Sequence, residues 1–139
     1  MRTLMFTALL ALVSLALGQE RTPAPAGAEV YIISPKNGAH VHAPVLVQFG
    51  LKGMGIAPAG VKFDNTGHHH LLIDTDAPAD LSAPLPANEH IVHFGKGQTE
   101  TTLNLAPGKH TMQLLFADMN HIPLSPPVIS PKITITVVP

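Results

Sequence analysis

The chain has 139 residues, no cysteine, and a formal charge of −1 with its nine histidines neutral. Without cysteine there are no disulfides and no thiolate ligands, so any metal site must use imidazole, carboxylate or methionine sulfur. With no basic stripe and 4% aromatic residues, the chain lacks the footprint of a nucleic-acid binder.

Taken in chain order, residues 1–18 read as a secretory signal. Arg2 is the positive start, 4–17 is an uncharged apolar run, and Ala16-Leu17-Gly18 is a small-x-small cleavage site. The run is short of the roughly 20 residues that span a bilayer, although a retained N-terminal anchor is the competing reading. No later segment is apolar enough to span a membrane, so none is expected once the signal is removed. Export without cysteines places the protein in a bacterial periplasm, or secreted. Residues 19–27 contain Thr-Pro-Ala-Pro-Ala-Gly and are expected to be a tether. Residues 28–139 are expected to form one domain.

That domain alternates short apolar runs with Pro, Gly, Asn and Asp turns, which is the all-β pattern. Strands are expected over 29–34, 44–51, 68–74, 89–94, 99–105, 109–117 and 128–138. Val45, Val47 and Phe49 share one face, as do Met112, Leu114 and Phe116, and Ile133, Ile135 and Val137. About seven such strands predict an immunoglobulin-like antiparallel sandwich of two sheets, with a jelly roll or small barrel as alternatives. The proline-rich stretch 75–88 is expected to cross between the sheets.

Three histidines in a row, His68-His69-His70, follow Gly67 and open one of these strands. Side chains alternate along a strand, so His68 and His70 point the same way, roughly 7 Å apart at the backbone, and His69 points the other way. If Leu71 and Ile73 face the core, His69 does too and must be hydrogen-bonded there. In a sandwich of this strand order, His93 at the end of its strand and His121 in the last long connection reach the same pole. His40, His42, His90 and His110 belong to the opposite one. His68, His70, His93 and His121 are therefore the candidate metal ligands. Met54, Met119, Glu100 and Asp118 are the peripheral candidates. Imidazole with optional methionine suits copper or zinc better than calcium or magnesium.

The segments Phe49-Gly-Leu-Lys-Gly-Met54, Ala57-Pro-Ala-Gly60, Gly67-His-His-His-Leu-Leu-Ile-Asp74, His93-Phe-Gly-Lys-Gly-Gln-Thr-Glu100, Pro107-Gly-Lys-His110 and Asp118-Met-Asn-His-Ile-Pro123 together resemble the bacterial "domain of unknown function 4399" family. The resemblance implies a small exported single-domain protein and brings no chemistry with it. The segment from Asp118 to Pro123 also gives a weaker, architectural likeness to periplasmic copper-carrying immunoglobulin-like proteins. The chain departs from them in having no histidine at the expected mature terminus.

Three readings follow. The first is an exported binding module, not an enzyme, that holds a copper or zinc ion at an exposed, exchangeable pole. The second is a structural domain whose histidines organise loops and whose partner is another periplasmic protein, the envelope or a glycan. The third is a mononuclear zinc hydrolase with Glu100 or Asp118 as base. The chain has no Gly-x-Ser-x-Gly, P-loop or His-Glu-x-x-His motif.

Overall fold

Residues 20–139 are described by a computed structural model, and the expected signal, residues 1–18, lies outside the described residues. The described residues hold nine strands and no helix. They are β1 (Glu29–Ser34), β2 (His40–His42), β3 (Val45–Lys52), β4 (Gly55–Ile56), β5 (Thr66–Ile73), β6 (Ile91–His93), β7 (Glu100–Leu103), β8 (Gly108–Ala117) and β9 (Ile133–Val138). One sheet runs β1-β3-β7; the other runs β2-β9-β8-β5-β4, with β6 also on β5.

The expected sandwich is present, and each of the seven expected strands has its counterpart. The additions are β2 and β4, two short strands that pair in parallel with β9 and β5, so the second sheet is not purely antiparallel. The last strand starts at Ile133 rather than 128. Pro131 has no N–H to give a ladder, and the Ser130 hydroxyl instead accepts the Leu114 N–H at 2.8 Å.

The main core lies between the sheets. Val45, Val47 and Phe49 of β3 meet Leu71 and Ile73 of β5, Leu114 and Phe116 of β8, and Ile135 of β9. A second apolar cluster, formed by Leu72, Leu85, Ile91, Leu115 and Ala117, lies on the outer face of the six-stranded sheet. Its existence corrects the expectation for 75–88. That stretch does not cross between sheets. It leaves β5, covers the sheet's outer face with Leu85, and returns to pair with β5 as β6. Both faces of β5 are therefore buried, from Gly67 to Ile73.

The expected tether is also bound to the domain. Residues Ser125 and Thr22–Ala24 exchange backbone bonds (Ala24 N–H to Ser125 O, 2.8 Å; Ser125 N–H to Thr22 O, 3.0 Å). Arg21 donates to the carbonyls of Pro123, at 3.0 Å, and Leu124.

Candidate metal centre

β5 alternates as a strand must. Leu71 and Ile73 point into the main core, which puts His69 there and His68 and His70 on the outer face beside Leu72. The outer pair meets the turn that ends β8. Asp118 shapes this turn as an Asx residue does: its Oδ1 accepts the N–H groups of Asn120 (2.9 Å) and Ile122 (3.1 Å), and its backbone oxygen accepts that of His121 (3.0 Å). Thr22 donates its hydroxyl to the other carboxylate oxygen at 2.7 Å. His121 is held at φ +62°, a left-handed conformation that a non-glycine residue adopts at some cost. That bend turns its ring back over β5.

The result is a three-ring focus. His121 Nδ1 lies 3.0 Å from His68 Nε2 and 3.2 Å from His70 Nε2. One candidate ligand atom from each ring falls within 4.8 Å of the others. Nitrogens bound tetrahedrally to one zinc or copper ion at 2.0–2.1 Å stand roughly 3.3 Å apart, so the spacing fits an ion. Hydrogen bonding alone satisfies the group poorly. His121 Nδ1 offers one lone pair or one proton, and two Nε2 atoms compete for it. The Nδ1 atoms of His68 and His70 are buried without a partner. In most metal sites that second nitrogen is hydrogen-bonded, so the outer shell here is incomplete on the β5 side.

The electrostatics keep the rings neutral. Burial, reinforced by His121 and His93 and opposed by Asp118, lowers the His68 pKa to about 4. Burial together with His68, His93 and His121 lowers His70 to about 2. Burial and His93 lower His121 as well, again against Asp118. Neutral imidazoles present their lone pairs at pH 7 without first losing a proton, which favours a cation.

His93 is in the cluster by ring packing, with its centroid 4.3 Å from that of His70 and 4.6 Å from that of His121. It is outside the three-atom focus. Its Nε2 lies 2.9 Å from the Pro86 carbonyl. A carbonyl can only accept, so Nε2 carries the proton and Nδ1 keeps its lone pair. The peripheral candidates fare differently. Glu100 is on the three-stranded sheet, exposed, and accepts from Gln48 at 3.2 Å. Asp118 is adjacent, but its carboxylate is committed to the turn and to Thr22, so its place is that of a positioning residue rather than a ligand or a base. Met54 packs against the main core. Met119 lines a surface cavity of about 300 Å³ with Thr22, Val61, Phe63 and Asp118. The expectation of an exposed pole is corrected too: His68 and His70 are 0% exposed.

His69 does face the core, but the hydrogen bond expected of it is absent. Its ring lies between Phe49 and Phe116, with centroids 5.1 Å from each, and both nitrogens are buried without a partner. Burial, then His68, lowers its pKa to about 4. An unsatisfied buried polar group costs roughly 1–3 kcal/mol. His69→Leu is accordingly expected to raise stability by about 1–2 kcal/mol after some loss of ring packing, read as a higher urea midpoint at pH 7. Sequence reasoning missed Leu85 and Pro86 as the cover of this site; a lone leucine between two prolines was the available signal. It also missed Thr22, for which no local signal exists.

The fold and site thus define a class: a small two-sheet β-sandwich with a covered three-histidine group on the outer face of its larger sheet. The family model described as Domain of unknown function (DUF4399) matches residues 47–138, and the chain belongs to that family. The matched span contains all four clustered histidines. No curated protein and no solved structure matches the chain.

Proposed function

We propose that this chain is an exported, periplasmic module that holds a copper or zinc ion through His68, His70 and His121. His93, which packs on the rings of His70 and His121, would have to move its ring to add Nδ1 as a fourth ligand. The observation that carries this reading is the approach of three nitrogens, from residues 68, 70 and 121, to within 4.8 Å of one another. The ligand set is all nitrogen, which suits Cu(II) and Zn(II), with Cu(II) the tighter by the usual order of divalent metals. The Pro86 carbonyl on His93 Nε2 is the kind of outer contact that orients a ligating imidazole. Export rests on the sequence of residues 1–18.

Titrating the protein, made without a His-tag, with Cu(II) and with Zn(II) tests the proposal. One equivalent of metal is expected to bind. The His68→Ala/His70→Ala variant should lose about a hundredfold or more in affinity, since it gives up two of three ligands. Free metal at 100 times its Kd should add about 2.7 kcal/mol to the native state. Equal, weak binding by both proteins would reject the reading.

A second reading draws on the bonds that two of these histidines make to the covering segment: His93 Nε2–H to Pro86 O, and Leu85 N–H to His121 O at 2.8 Å. Under it the rings only organise loops, the partner is another exported protein, and added metal leaves the melting temperature unchanged.

A further inference from the structure

We infer that residues 75–90 are a gate that controls how fast an ion enters and leaves the three-histidine group, an inference that rests on the metal-holding reading above. His68 and His70 are fully buried although they lie on the outer face of a sheet. What covers that face, through Leu85, is the 17-residue connection between β5 and β6, which has no strand or helix. Uncovered loops of that length in a compact domain are uncommon, and functional lids are one of their main uses.

Its construction is that of a cover fastened at few points. Of residues 75–90, Leu85 alone is buried, at 5% exposure, and it packs into the outer cluster with Leu72, Leu115 and Ala117. Pro84 and Pro86 flank it. Proline restricts its own φ and biases the preceding residue to extended backbone, so Leu85 is presented as a stiff plug. The two bonds beside the plug both end on histidines of the cluster: Leu85 N–H on the His121 carbonyl and the Pro86 carbonyl on His93 Nε2. The cover is therefore latched to two part-exposed histidines of the cluster, to the backbone of His121 and to the ring of His93. Its ends are anchored separately. Asp76 pairs with Lys132 near the start, and Asn88 Oδ1 accepts the N–H groups of His90 and Ile91 near the return. Asp74, just before it, sits at φ +55° and marks a bend.

A segment held by one fully buried side chain, by the part-buried Ala77 and Leu81 and by two latching bonds opens at lower free energy than the sheets beneath it. His121 and His93 are part-exposed in the closed fold, so what opening adds is access to His68 and His70. Closing restores the Pro86 bond that fixes the His93 proton on Nε2 and leaves Nδ1 free. The gate and the fourth ligand position thus share one hydrogen bond, that of His93 to Pro86.

The test compares the parent with Leu85→Ala, which removes the plug, and Leu85→Met, which keeps its volume. Each protein is loaded with Zn(II) and mixed with excess chelator. Release is expected to be about tenfold faster or more from Leu85→Ala, in line with the loss of a buried leucine, and near the parental rate from Leu85→Met. Equal release from all three, with zinc bound at one equivalent, overturns the gate. Should the parent hold no zinc, the metal-holding reading fails, and the gate is judged on metal-free protein. Carbethoxylation of His68 and His70 by diethyl pyrocarbonate, read by peptide mass, should then be slow in the parent and in Leu85→Met and faster in Leu85→Ala. Equal rates overturn it. Urea midpoints of the three proteins separate local opening from global unfolding.

Discussion

Lowering the pH from 7 to 5 is expected to remove on the order of 5 kcal/mol of stability from the metal-free protein. The cause is the set of rings on β5. His68 and His69 have folded pKa values of about 4 and His70 of about 2, in each case chiefly because burial penalises the charged form. In the unfolded chain all three titrate near 6.5. Between those limits the unfolded state binds more protons than the fold, and stability falls as pH falls. The contribution is whole above pH 6.5. It is lost progressively toward pH 4 for His68 and His69, and continues to be lost below that for His70. Each ring gives about 1.4 kcal/mol per pH unit inside its window. Domains of this size hold about 5–15 kcal/mol in total, so acid unfolding should be well under way about two pH units below 6.5.

One histidine works in the opposite direction. His110 donates Nδ1–H to Asp74 Oδ2 and Nε2–H to the Ala106 carbonyl, both at 2.7 Å, and the Asp74 bond raises its pKa first, then the Ala106 bond. Its contribution is present below pH 6.5 and lost as pH rises through the raised value. A single partly exposed pair offsets three buried rings only in part. Urea midpoints at pH 7, 6 and 5 measure the balance, and His69→Leu should reduce the slope by about a third. Midpoints that stay level over this range would show that the rings on β5 take up protons in the folded state, and the neutral-ligand account would go with them. Saturating Zn(II) should raise the curve between pH 7 and 5 without flattening it, because rings already neutral in the fold bind the metal without releasing a proton.

Much of the scaffold was legible because period-2 alternation survives wherever a sheet has one wet face. β3 shows this, with Val45, Val47 and Phe49 buried and Leu46 half exposed. β5 was harder. Its run His-His-His-Leu-Leu-Ile carries no contrast between faces, because the excursion 75–90 buries the second face as well. The side on which His69 lies was therefore open until packing decided it. β2 and β4, three and two residues long, are too short to carry a period at all.

The site was partly legible for a different reason. Strand order alone carries His68, His70 and His121 to one end, since Ala117 pairs with His68 and the turn at 118–122 follows at once. What strand order cannot supply is which nitrogen faces what. His93 arrives with the others, but its Nε2–H donates to the Pro86 carbonyl, seven residues away in an irregular segment. The sequence presents Asp118 as a peripheral candidate and as a possible base. Its spacing to Asn120 and Ile122 was the better clue, as that is how an aspartate closes its own turn. The hydroxyl of Thr22, 96 residues away, depends on the N-terminal segment folding back, and nothing local announces that.

Gly67→Ala should be among the most damaging single substitutions in the domain, at about 3 kcal/mol or more. Gly67 precedes the histidine run on β5 and pairs in parallel with Ile56 of β4. On its other side β8 comes unusually close. A Cβ at Gly67 would overlap the Ala117 carbonyl oxygen and sit 2.8 Å from the Phe116 ring. Neither neighbour is a free side-chain end: one is backbone next to the His121 turn, the other is a fully buried core aromatic. Relief requires β5 and β8 to part where His68 pairs with Ala117, and that register sets the distance from His68 Nε2 to His121 Nδ1. The substitution should therefore lower both the urea midpoint and the affinity for Zn(II). Gly55→Ala is the matched control, since a methyl there meets only the Thr66 methyl at 3.4 Å and should cost under about 1 kcal/mol. Equal loss from the two substitutions would mean that strand flexibility, not the close approach of β5 to β8, is what the glycines supply. A Gly67→Ala protein that keeps full zinc affinity despite a lowered midpoint would show that the three-ring focus does not depend on this register.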